Sequence, residues 1–233
     1  MSTESQDGWP LTLTRRMEDF PIANVPLKDW SAAPGSDLDA QISNCRYPWD
    51  LLALNEVIVG ALEQDEILGE IHPLAVIEGN LKLGKGSRIL PGVFIEGNVV
   101  IGENCKIGPN CYIRGNSSIG NNCHIGQSVE VKNSIILDGT NVGHLSYVGD
   151  SILGENVNFG AGTNVSNLRH DGSNHRSMTE SGLVDTGRRK LGAIIGDGVH
   201  TGIGTMIYPG RKIWPNMHTR PGDVVQADLR PVE

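Results

Sequence analysis

Aromatic residues are scarce in this chain: four Trp, four Tyr and three Phe among 233 residues. So few rings argue against a thick core and suit a thin, turn-rich fold. Long apolar runs are absent, and no charged-then-apolar leader opens the sequence. The chain is therefore expected neither to span a membrane nor to leave through a signal peptide, and a cytoplasmic location is the expectation. Positive charge is in deficit, with 19 Lys and Arg against 27 Asp and Glu and a net charge of −8. That balance argues against a nucleic-acid partner. There are four cysteines and no CxxC spacing that would indicate zinc.

What the chain has instead is a period. From Ile71 an aliphatic residue stands at every sixth position: Ile71, Ile77, Leu83, Ile89, Ile95, Ile101, Ile107, Ile113, Ile119, Ile125, Val131. Neither an amphipathic helix nor an ordinary strand repeats this way. The spacing predicts an all-β chain, a parallel β-helix of hexapeptide repeats. Three hexads make one triangular coil, so side chains 18 residues apart stack at about 4.8 Å. Cys105, Cys111 and Cys123 each precede a period-six aliphatic by two residues, a slot that Ser87, Val93, Val99, Ser117 and Val129 also fill. They read as small inward residues, with Cys105 and Cys123 stacked. Cys45 lies outside the repeat.

Residues 1–69 lack the period and form an N-terminal extension with prolines at Pro10, Pro21, Pro26 and Pro34. Asp50 is the expected N-cap of one amphipathic helix over about 50–64, carried by Leu51, Leu52, Leu54, Val57, Ile58, Ala61 and Leu62. That helix is expected to cover the open end of the solenoid, whose unpaired edges need a cap. The β-helix domain follows over 70–233. After Val131 the phase drifts through Val142 and Val148, then Leu153, Phe159 and Val165, which predicts short insertions at coil corners. Residues 166–192 interrupt the repeat with a polar loop ending in Arg188, Arg189 and Lys190, before Ile195, Thr201, Ile207, Ile213, Thr219 and Val225 resume it. Long loops in compact solenoids are functional or disordered.

Chemistry is sought where the repeat breaks. Glycine usually follows the aliphatic, but Glu78, Glu96, Arg114 and Lys132 replace it at intervals of 18. They should form one column of two acids and then two bases. Such a column is either a solvated ladder, worth little per pair, or an anion site at the adjacent Arg114 and Lys132. His144 stands at the phase slip, near these cations and Tyr147, and so need not be a core residue.

Three stretches go beyond the repeat: Ser128–Asn133, Val142–Asp150 and Gly154–Thr163. They resemble the acetyltransferase domain of the bifunctional enzymes that make UDP-N-acetylglucosamine. Residues 167–172 and 187–193 resemble the archaeal-type branch of sugar-1-phosphate nucleotidylyltransferases with a β-helix tail. The resemblance implies a left-handed β-helix, a homotrimer with sites between subunits, and acetyl transfer from acetyl-CoA to an amino sugar phosphate or nucleotide sugar. It implies His144 as general base and Arg114, Lys132, Tyr147 and Asn158 as substrate binders. Ala161 would offer a backbone N–H near the acetyl carbonyl. His175 stands where the family has a substrate-binding lysine, and Ile203 and Pro221 stand where it has a serine and an alanine at the CoA. Arg211, Lys212 and Arg220 are expected near the CoA phosphates. No metal is implied.

Tyr47–Asn55 resembles the family's bridge from its nucleotidyltransferase domain, so residues 1–69 read as a remnant of that linker. The glycine-rich nucleotide loop is missing, and no pyrophosphorylase activity is expected. The residues admit two further readings. One is a non-catalytic trimeric scaffold or sugar-nucleotide sensor. The other is a zinc carbonic anhydrase on the same fold, for which His170 and His175 have ligand-like spacing but no third histidine lies in the matching place.

Overall fold

The computed structural model describes residues 6–30 and 37–231. From Glu66 onward the chain winds as a parallel β-helix with three flat faces. The first face has eight strands, running from Glu66–Ile67 through Leu81–Leu83, Val99–Ile101, Ser117–Ile119 and Ile135–Ile136 to Lys212–Ile213. The second has six, among them Lys106–Ile107, His124–Gln127, Asn141–His144 and Asn158–Phe159. The third has eight, among them Tyr112–Arg114, Glu130–Lys132, Tyr147–Gly149, Asn164–Val165 and Met206–Ile207. The expected β-helix of hexapeptide repeats is thus what forms, and its first strand lies four residues before the expected boundary.

The period-six aliphatics from Leu83 to Val131 are all buried in the core. Ile107, Ile113, Ile119 and Ile125 are all fully buried. Cys105, Cys111 and Cys123 line the same core, and the Cys123 N–H points at the Cys105 sulfur at 3.4 Å. Burial pushes the Cys111 thiol up to about 12, which leaves it protonated and unreactive at neutral pH.

The phase drift is a deletion, not the expected insertion. Ile119 pairs with Ile136, Ile125 with Val142, and Val131 with Val148, so the coil shortens from 18 to 17 residues. The missing residue is at the corner after the third face, where Asn133 and Asp150 take positive φ of 45° and 49°. A left-handed corner residue turns the chain in less length, and Asn and Asp tolerate it best after glycine.

The N-terminal extension holds two α-helices, α1 (Asp37–Ser43) and α2 (Pro48–Gly60). Pro48 opens α2, so the helix starts two residues before the expected Asp50. The Asp50 carboxylate instead reaches back to accept the Tyr47 and Arg46 N–H groups at 2.8 and 3.0 Å. Asn98 and Asn80 side chains donate to the Leu62 carbonyl at 3.0 and 2.8 Å, satisfying the other end.

The helix does not cap the open end of the solenoid. It lies on the first face, and the reason is in that face's outward column: Val100, Ser118, Ile135, Ile152, Ile194. In most hexads this position is polar; here it is largely aliphatic and buried. Leu51, Leu52, Leu54 and Ile58 pack on Ile135, Ile152 and Ile194 in one cluster with Leu11, Phe20 and Ile22. Asn55 ties the seam, donating to the Asn116 carbonyl and accepting from the Ser118 hydroxyl, both at 2.8 Å. Leu68 and Leu74 in the first coil stay exposed.

The 166–192 insertion is not an irregular loop. It folds as an antiparallel hairpin, Arg176–Thr179 against Gly182–Asp185, whose base is closed by His175 and Thr186. No helix among the described residues is long and apolar enough to cross a membrane.

The flank contact makes a direct prediction. Leu51→Ala should cost about 2–5 kcal/mol by leaving a cavity against the first face, whereas Leu68→Ala should change stability by less than about 0.5 kcal/mol. Urea unfolding measures both, and equal losses at the two sites would refute the packing described.

Candidate active site

On the third face the outward side chains fall in two columns. One runs Tyr112, Glu130, Tyr147, Asn164, and the other runs Glu78, Glu96, Arg114, Lys132, Gly149. The expected charge column therefore exists. Its two cations are not unpaired, however. Arg114 donates to Glu130 from Nε and from its terminal nitrogen, both at 2.8 Å, and lies over the Tyr112 ring. Lys132 is buried, and its ammonium sits 2.9 and 3.1 Å from the two oxygens of Asp150. Each of the stacked cations thus has its own carboxylate, which makes the column a ladder of internally paired charges. A shallow groove of about 260 Å³ remains between Glu96, Arg114 and Lys132.

Asp150 is the hub. It is 2% exposed and accepts from Lys132 and from the Asn167 amide at 2.6 Å. The same amide nitrogen donates to the Tyr147 hydroxyl at 3.0 Å. Burial, then the nearby carboxylates of Asp150 and Glu130, hold the Tyr147 phenol above its usual range. The phenol is therefore neutral at pH 7 and keeps its own proton to donate outward.

His144 ends a second-face strand, exposed, at the corner leading into the third face. Backbone bonds carry that corner upward: Gly162 N–H to the His144 carbonyl at 3.1 Å, Gly204 to Ala161 at 2.8 Å, and Gly222 to Ile203 at 2.8 Å. The structure thus places His144, Ala161, Ile203 and Pro221 in one column, a strand spacing of about 4.8 Å apart. Leu145 and Ile203 expose apolar side chains along it. Among the described residues the Ala161 N–H has no acceptor. Asn158 stands on the second face beside Asn141, exposed, around the corner from Tyr147.

His175 is elsewhere. It is 3% exposed at the base of the hairpin, with Nε2 at 3.2 Å from the Asn167 carbonyl. Its position supports the loop that carries Asn167, and it does not join the His144 corner. Lys212 is likewise unavailable to a cosubstrate's phosphates. It occupies the outward column of the first face under α2, donates to the Met178 carbonyl at 2.8 Å, and is pushed down to about 8 by burial. Arg220 is exposed at the His144 corner's far end, and Arg211 lines a separate cavity. No three His, Cys, Asp or Glu side chains gather as a metal site among the described residues.

Asp150, Glu130 and Asn167 are the residues that sequence reading missed. Glu130 was legible as the carboxylate diagonal to Arg114. Asp150 was not, because counting by 18 puts it in the Lys132 column, whereas the shortened coil moves it to the corner.

Residues 95–219, more than half of the chain, match a family model described as the GMPPB C-terminal domain. A bifunctional sugar-1-phosphate nucleotidylyltransferase/acetyltransferase of Sulfurisphaera tokodaii is 41% identical over 182 residues. That match takes in 78% of this chain and 45% of that protein, so the chain spans under half of its relative's length. Among solved structures, a UDP-N-acetylglucosamine acyltransferase from Campylobacter jejuni is 14% identical over 69% of each chain, with a TM-score of 0.34. A mutant GDP-perosamine N-acetyltransferase from Caulobacter crescentus, in complex with CoA and GDP-perosamine, is 19% identical, covering 67% of this chain and 52% of its own, with a TM-score of 0.24.

Two predictions follow from the hub and from the hairpin base. Asp150→Asn keeps the left-handed corner but strands the Lys132 charge, and should cost about 3–5 kcal/mol in urea unfolding. Adding Lys132→Met should recover most of that loss. A double variant as unstable as the single one would show that the pair is not coupled. His175 is held below its usual range of 6.5, chiefly by burial. The unfolded chain then binds the proton more readily, so this contribution is complete above about pH 6.5 and is lost as the pH falls. The drop in urea midpoint from pH 7.5 to 5.5 should shrink in His175→Asn, and an unchanged drop would contradict the assignment.

Proposed function

The chain belongs to the GMPPB C-terminal domain family, and from that membership and its kinship to acetyltransferase-bearing sugar-1-phosphate nucleotidylyltransferases we propose that it transfers acetyl from acetyl-CoA to an amino group on a sugar phosphate or nucleotide sugar. One observation carries the reading. His144, the Ala161 N–H, which has no acceptor among the described residues, and the apolar Ile203 lie in a single column at one corner, with the exposed Leu145 next to His144 and a neutral Tyr147 held by Asn167 on the face that follows.

The chemistry asks for these parts. An amine attacks a thioester only when unprotonated, and the exposed His144 imidazole takes its proton as the C–N bond forms. The thioester oxygen gains charge in that step, and a fixed N–H such as that of Ala161 stabilises it. Collapse of the adduct breaks the C–S bond and releases CoA as its thiol. Tyr147, with Lys132 and Arg114 behind it, orients the acceptor's phosphate. Since both cations carry a carboxylate, they contribute positioned donors more than net charge. Asn158 reaches the acceptor only around the corner. A second subunit beside the corner encloses the site, so a C3 homotrimer completes it.

A second reading, a non-catalytic trimeric module that binds sugar nucleotides, draws support from the internal pairing of Arg114 and Lys132. Acetyl-CoA turnover over a panel of amino sugar phosphates and amino nucleotide sugars, read as thiol release, separates the two. The enzyme reading expects turnover that falls about 10²–10⁴-fold in His144→Ala. No turnover from protein of trimeric mass in light scattering rejects it in favour of the binding module.

A further inference from the structure

The cavity between the hairpin insertion and the last coils takes no part in the acetyl-transfer reading. It measures about 550 Å³ and opens on the third face. Leu168 to Asp171 and His175–Arg176 form one wall, and Tyr208, Pro209, Arg211 and Gln226 the other. Its position follows the column of Lys132 and Gly149 onward through Ser166 to Tyr208. Three strand steps separate Lys132 from Tyr208, about 14 Å.

Charge distinguishes it. The chain as a whole carries −8, yet this cavity collects Arg169, Arg176 and Arg211 against one carboxylate. Asp171 is taken by Arg169 at 2.6 and 2.9 Å. Among the described residues neither Arg176 nor Arg211 has a carboxylate within ion-pair distance; Arg211 has only the Pro209 carbonyl at 3.4 Å. Arg114 and Lys132 show how this chain neutralises stacked cations when structure alone is at stake, and that device is missing here. His175 adds no charge to the wall, since burial, with Arg169 and Arg211 close by, keeps its imidazole neutral at pH 7. Guanidiniums facing one cavity repel unless an anion lies between them, and their planar forks fit phosphate oxygens in pairs.

The remaining lining is not what inorganic phosphate needs. Tyr208 is 49% exposed and Leu168 is 41% exposed, giving an aromatic and an aliphatic surface beside the cations. The volume lies within the range of small-molecule sites, well beyond one phosphate. We propose that this cavity binds a nucleoside diphosphate group, free or as the nucleotide half of a nucleotide sugar, with the pyrophosphate on Arg176 and Arg211 and the base against Tyr208.

Equilibrium dialysis of the full chain with UDP, GDP, UDP-glucose, pyrophosphate and CoA tests it without requiring turnover. At least one nucleoside diphosphate should bind with a Kd in the millimolar range or tighter, one bound per chain, and weaken with salt. Arg176→Gln and Arg211→Gln should each weaken binding about tenfold or more, the worth of one charged hydrogen bond. Lys85→Gln, on a distant exposed coil, and His144→Ala should bind as the parent does. UDP-glucose binding as tightly as UDP identifies the nucleotide-sugar source, and UDP alone the free nucleotide. Thermal midpoints of the arginine variants within a few degrees of the parent confirm that they are folded. Absence of saturable binding overturns the proposal, as does binding that neither arginine variant weakens. Pyrophosphate binding as tightly as the nucleotides removes the nucleoside, and CoA binding alone gives the cavity to the cosubstrate. Loss of turnover in His144→Ala with binding intact, or binding with no turnover at all, separates this site from the acetyl-transfer reading.

Discussion

Everything here rests on the parallel ladder between coils. A single coil buries one ring of aliphatics and leaves the backbone donors and acceptors of its strands unpaired. Only the coils above and below supply partners, as when Tyr112 N–H finds the Val129 carbonyl at 2.9 Å. That constraint fixes register, and register converts sequence spacing into spatial columns. Side chains far apart in the sequence come together on this chain only where the ladder stacks them. His144 meets Ala161 because their backbones are bonded neighbours, not because either side chain seeks the other.

The same ladder explains what was legible in the residues. The inward aliphatics obey the period without exception from Ile71 to Val131, so the β-helix, its core and the column from Glu78 to Lys132 could be read directly. Legibility failed where one residue was lost. From Val131 the coil is 17 residues long, and any count by 18 then errs by one, enough to swap a facing residue for a corner residue. Asp150 disappeared from view for that reason, and with it the pairing that changes the meaning of Lys132. The flank contact of α2 was hidden differently. Its signal was the doubled aliphatics Val100–Ile101, Ile135–Ile136, Ile152–Leu153 and Ile194–Ile195, in which one member faces the core and the other faces out. A search tuned to one aliphatic in six passes over the second.

Charge follows register as well. Arg114 and Lys132 lie one strand apart, a separation at which like charges are tolerable only if neutralised. Glu130 and Asp150 do this from the next coil, using the ladder's own geometry to bring a carboxylate diagonal to each cation. The pairs are unequal in kind. Arg114 and Glu130 are each about a third exposed and gain little from the contact in water. Lys132 and Asp150 are buried, so removing either leaves a charge without solvent or partner. The buried pair therefore holds Asn167, and through it Tyr147, in a fixed place, while the exposed pair stays open to solvent.

The three faces consequently have different fates. The first is committed, because its outward aliphatics are spent on α2 and the N-terminal turns, and even Lys212 in that column is buried beneath Trp49. The second offers an exposed column in which Asn158, His200 and His218 are backbone neighbours, a polar surface with no apolar stripe. The third carries the paired cations, Tyr147, and beyond them the hairpin. The exposed polar columns of the solenoid thus lie on two faces and the corner between them, and that corner exposes the apolar Leu145 and Ile203. A hexapeptide helix has no interior to enclose a substrate, since its core is one side chain wide. Its sites must be built on the outside, walled by an insertion of the chain itself or by another subunit. This chain has the first kind of wall beside Tyr208, where the hairpin insertion stands, whereas no insertion of the chain walls the His144 corner.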